Sequence, residues 1–114
     1  MEKEILGFVI ERNRILEEII RLNHLAISEF SYLDSIDRKH FFLTRKYMIE
    51  ALIISENKII AYSMMDWSTF SLDSEYRNEY LMLSREKEEC VAEIINQDKI
   101  LGALVEDEGL EKTA

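Results

Sequence analysis

The sequence predicts an all-α fold: an antiparallel bundle of three long helices, completed by a second copy or a partner. Three observations carry that reading. The 114 residues include no proline and only three glycines, Gly7, Gly102 and Gly109, so little in the chain interrupts a helix. Apolar residues recur at helical spacing along most of its length. Two short polar clusters, Leu33 to Asp37 and Asp66 to Ser71, divide it into segments of about 31, 30 and 35 residues, each roughly 45–50 Å long as a helix. Near-equal rods joined by short loops pack side by side. Residues 1–108 are read as one helical domain and 109–114 as a frayed tail.

In the first segment Ile5, Phe8, Val9, Ile15, Leu16, Ile19, Ile20, Ala26, Ile27 and Phe30 share one broad arc at 100° per residue, which makes a core-facing helix. Arg12 and Asn23 fall inside that arc. They are expected to form a buried polar layer that fixes register. A hairpin turning near residue 35 brings Arg12 level with Glu56 and Asn57. Asp34 or Ser35 can cap the helix that follows.

The second segment is apolar along three lines. Phe41, Met48, Leu52 and Ile59 form one, Phe42, Ile49, Ile53 and Ile60 the next, and Leu43, Tyr47, Ile54, Ala61 and Met65 the third. Such a helix is expected to be buried nearly all round, and two sister helices leave part of its circumference uncovered, hence the expected homo-oligomer or protein partner. The competing reading is an α+β fold with a hairpin at about 49–65, turning at Ser55 to Lys58. The apolar residues there do not alternate with polar ones, which favours helix.

The third segment sets Leu72, Tyr76, Tyr80, Leu83, Cys90, Val91, Ile94, Leu101 and Val105 on an apolar stripe, with Glu75, Glu79, Glu86, Glu89 and Glu93 within about 80° of one another beside it. The plainer reading of this flank is a solvated face beside the core seam, and the sharper one is a docking face for a basic protein. Met64, Trp67 and Phe70, around the second polar cluster, are candidate contact anchors.

Charge and composition narrow the function. The chain carries 14 basic and 23 acidic residues, and residues 71–114 alone hold 5 bases against 12 acids. No basic stripe exists to neutralise phosphates, so direct nucleic-acid binding is not expected. Neither a basic-then-apolar leader nor an apolar run of about 20 residues appears, so no membrane association is expected, and the single Cys90 suits a reducing, cytoplasmic setting. His24, His40 and Cys90 have no spacing that brings them together, no Glu-x-x-His pair is present, and the glycines match no phosphate loop. No catalytic, cofactor-binding or metal-binding residue is assigned. The expected function is a non-enzymatic helical interaction module, an adaptor, small chaperone or regulatory inhibitor. The alternative is an acidic inhibitor or nucleic-acid mimic, of the immunity or anti-defence type, that blocks a nucleic-acid-processing protein.

Overall fold

The computed structural model describes the backbone of residues 2–72 and 74–113, and the side chains of residues 4–61 and 76–106. Helix α1 spans Glu2–Glu29, a single 3-10 turn covers Phe30–Tyr32, α2 spans Ser35–Leu72 and α3 spans Ser74–Thr113. The three helices pack against one another in a rod of 61 × 20 × 18 Å. Its length is that of one 40-residue helix at about 1.5 Å per residue.

The first turn is built from short-range contacts. The Leu33 amide donates to the Phe30 carbonyl at 3.3 Å, closing the 3-10 turn. Of the two candidate caps, Asp34 does the work: its carboxylate accepts the Asp37 amide at 2.8 Å. Arg38 then reaches back, donating to the Phe30 carbonyl at 2.8 Å with its guanidinium 4.2 Å from the Phe30 ring centroid.

Two sequence expectations change. Residues 49–65 lie wholly within α2, and the described residues contain no strand, so the hairpin alternative is excluded. Its proposed turn has other work. Ser55 is buried and Glu56 reaches side chains of both neighbouring helices, positions that a mid-helix residue can hold and an exposed turn cannot. The polar cluster at 66–71 is also helical, so α2 and α3 are 38 and 40 residues long and the break falls between Leu72 and Ser74. Serine, threonine and aspartate cost a helix only tenths of a kcal/mol each, so a cluster of them need not end one.

The helix at the centre is α1. It supplies Ile5, Leu6, Val9, Leu16, Ile19 and Ala26 to the core, whereas the described part of α2 supplies Phe41 and Ile59, and that of α3 Leu83 and Leu101. The expectation that the second segment is buried nearly all round is therefore corrected. Because α1 packs against both other helices while α2 and α3 touch only lightly, α2 has cover on one side.

The core is apolar at both ends and polar at its waist. Ile5, Leu6, Val9, Ile59 and Leu83 form one cluster, and Ala26, Phe30, Phe41 and Leu101 the other. Between them lie Leu16 and Ile19 together with the buried side chains of Arg12, Asn13, Asn23 and Gln97.

Candidate functional site

The most distinctive surface is the outer face of α2. Ile36, Leu43, Tyr47 and Ile54 are 75%, 46%, 61% and 57% exposed. Turned at 100° per residue, they lie about 140° around the helix from the buried Phe41 and Ile59, on the solvent side of α2. Phe42, Ile53 and Ile60 are also exposed, on a second line. A scattered surface leucine needs no explanation, but aligned large apolar residues on one helix do. Between the two lines run Lys39, Lys46, Glu50 and Asn57, all exposed.

The acidic flank of α3 is a separate surface. Glu79, Glu86, Glu89 and Glu93 are all exposed. The flank adjoins α1, away from α2, because the amide of Asn13 donates to Glu86 at 3.5 Å and to the Leu83 carbonyl at 2.9 Å. The backbone at Met64, Trp67, Phe70 and Glu75 is helical, and their side chains lie outside the described residues.

Arg12 and Asn23 are 3% and 0% exposed. Arg12 Nε donates to Asn13 Oδ1 at 3.2 Å, and its Nη1 lies 3.5 Å from Glu56, which Lys87 also approaches at 3.4 Å. Asn23 donates to Gln97 Oε1 at 3.1 Å, and Gln97 donates in turn to the Ile20 carbonyl at 3.0 Å. Each α1 polar residue is thus matched to one neighbour: Arg12 to α2, Asn13 and Asn23 to α3. Arg12 Nη2 and Asn23 Oδ1 remain without a hydrogen-bond partner, so the layer is costly as well as specific. Arg45 of α2 pairs with Asp98 of α3 at the edge of a shallow groove lined by Phe42, Leu101, Gly102 and Val105. Sequence periodicity pointed to Arg12 and Asn23 but missed Asn13, Gln97 and the Arg45–Asp98 pair, which sit at helix boundaries where the apolar arc is no guide.

Little of the surface is poised for covalent chemistry. Cys90 is half-buried, and burial together with the nearby carboxylates of Glu17, Glu86 and Glu89 pushes its thiol above the usual range, so it is protonated at neutral pH. Among the described residues, no three His, Cys, Asp or Glu side chains converge where they could hold a metal ion, and no helix is long and apolar enough to cross a membrane.

Fold and surface together describe a three-helix protein whose edge helix carries an aligned apolar face, beside a third helix with an acidic flank. The chain matches no protein-family model, no curated protein and no solved structure.

Proposed function

We propose that this chain is a non-enzymatic helical protein–protein interaction module, an adaptor, small chaperone or regulatory inhibitor. In this reading it acts in the cytoplasm through the outer face of α2, with the α3 carboxylates guiding the approach of a basic surface. One observation carries the proposal: Ile36, Leu43, Tyr47 and Ile54 are aligned, exposed and directed away from the chain's own core. Aligned apolar area of this kind loses free energy to water until something covers it.

A photo-crosslinking side chain at position 47, in the full chain expressed in its native cell, tests the reading. Covalent adducts above the monomer mass are expected from position 47, and none from the exposed Arg14 on α1 as control. Absence of any adduct from position 47 would overturn it.

The acidic-inhibitor reading is favoured by a different observation, the alignment of Glu79, Glu86, Glu89 and Glu93 in solvent. It predicts that reversing Glu86, Glu89 and Glu93 to lysine abolishes binding to a basic target while Leu43→Glu leaves it intact. The interaction-module reading predicts the opposite ranking.

A further inference from the structure

The outer face of α2 has a pattern of its own. From Ile36 to Ala61 the outward positions recur in alternating steps of four and three residues, over about 38 Å of helix. Every one of them is exposed. Five of the eight, Ile36, Leu43, Tyr47, Ile54 and Ala61, are apolar, a spacing that fits the seam of a coiled coil with a second helix.

We infer that the second helix is α2 of another copy of this chain, running antiparallel about a two-fold axis that passes between Met48 and Ile49. The inference rests on the reading of this face as an interaction surface and names its occupant. The argument for a copy is that the face complements itself. With the axis at that point, seam positions whose numbers sum to 97 face each other. Ile36 meets Ala61 of the second copy and Leu43 meets Ile54, so apolar residues oppose apolar ones. Tyr47 meets Glu50, where the phenol can donate to the carboxylate. His40 meets Asn57, a pairing of imidazole with amide. Beside the seam, exposed Asp37 comes within about 3 Å of level with Lys58 of the second copy, an opposite-charge pair made twice by symmetry. Lys58 also lies 5.5 Å from the Phe8 ring of its own chain, which holds its stem on the correct side of α2. Lys39 and Lys46, on the other flank, fall beside Ile60 and Ile53 of the second copy, where their stems can cover apolar surface.

Other arrangements fit less well. A parallel pair in register sets Glu50 against Glu50. Moving the antiparallel axis by one seam step toward the C-terminus sets Glu50 against Ile54, and one step the other way leaves Asn57 and Ala61 beyond the seam of the second copy. Of the registers within residues 36–61, the central one alone pairs all eight described seam positions and sets Asp37 beside Lys58.

Light scattering on the purified full chain across a dilution series tests this. The expected mass is that of two chains, falling toward one on dilution. The double substitution Leu43→Glu with Ile54→Glu should give one chain at every concentration, with helical circular dichroism unchanged. Asp37→Lys should weaken the dimer roughly threefold to tenfold, and adding Lys58→Asp should restore it, a rescue that only self-pairing across the seam produces. With Cys90 replaced by serine, a mixture of Leu43→Cys and Ile54→Cys chains should oxidise to the mixed disulfide, since Leu43 and Leu43 of the two copies lie too far apart along the helices to bridge. A single-chain mass at all concentrations would overturn the inference, as would a dimer indifferent to Leu43→Glu with Ile54→Glu. If adducts to a different protein still form at position 47, the interaction module stands and only its occupant changes.

Discussion

Two faces of this molecule use the same kind of residue for opposite ends. The seam of α1 holds Val9, Leu16 and Ile19 out of water and interrupts them with Arg12, Asn13 and Asn23, whose side chains are matched to named partners. The outer face of α2 holds Leu43, Tyr47 and Ile54 in water and interrupts them with Glu50 and Asn57, whose side chains are also exposed. The α1 face is a specified interface, in which apolar residues supply packing energy and a few polar ones fix register at some cost, and the proposed function reads the α2 face the same way. On α1 the partner is within the chain. The difference teaches that similar alternations of apolar and polar residues can be closed within one chain or left open to solvent.

The sharpest way to break the comparison is to cut one residue from each face. Leu16→Ala should lower the unfolding free energy by about 3 kcal/mol, because the side chain is fully enclosed and leaves a cavity. The loss should be the same at every protein concentration. Ile54→Ala should cost less than about 0.5 kcal/mol at high dilution, where its neighbours are water, and more as the concentration rises and pairing contributes. Urea melts at two concentrations check both. A concentration-independent loss at Ile54 as large as that at Leu16 would mean that the α2 face is sheathed within one chain.

The polar waist gives the next largest effect. Replacing Glu56 by alanine leaves the Arg12 guanidinium enclosed with only Asn13 to meet it and should cost about 2 kcal/mol, less than a wholly buried pair because Glu56 keeps some contact with solvent. Arg12→Met in the same background should recover most of that loss, since a buried thioether needs no counter-charge. If Arg12→Met instead compounds the loss, the arginine contributes through its stem and not through its charge.

How much of this could be read from the sequence follows from where each residue sits. The helices were legible because apolar spacing and the lack of breakers speak about single segments, and Arg12 was legible as a charge inside an apolar arc. The level of Arg12 with Glu56 followed from hairpin arithmetic alone. The three apolar lines of α2 were legible too, but not which line faces out. That depends on which helix lies in the middle, and the sequence pattern favoured α2 where the structure has α1. The sequence sets the second helix boundary too early because a polar cluster resembles a break, although serine and threonine can continue a helix. Asn13 and Gln97 were invisible, since a polar residue one step off the apolar arc looks the same whether it meets water or a neighbouring helix.

A smaller effect probes the groove between α2 and α3. Gly102 is exposed within α3, has a right-handed helical backbone, and a methyl group added there meets no atom within 4 Å. Gly102→Ala should therefore stabilise the protein by about 1 kcal/mol through helix propensity and raise Tm by roughly 4 °C. A fall in Tm would show that something closes over this groove in solution, and would move the interface from the outer face of α2 to its boundary with α3.

The acidic flank can be read through Cys90 without perturbing the fold. Burial is the larger cause of its raised thiol pKa, and Glu17, Glu86 and Glu89 add to it. The folded protein thus holds this proton more tightly than the unfolded chain does. The stability linked to it is fully present below the ordinary thiol range and is lost as pH rises through that range and past it. A disulfide reagent at pH 8 should label Cys90 more slowly in the folded protein than in urea, with the folded rate climbing steeply at higher pH. Replacing Glu86 and Glu89 by glutamine should speed the folded reaction only in part, since the larger cause stays in place. High salt should mimic that substitution if the carboxylates act through space. Leu43→Glu, on the far face, should leave the rate alone. A rate that changes with Leu43→Glu would mean that the two surfaces are coupled, and that whatever covers α2 also alters the packing of α3 against α1.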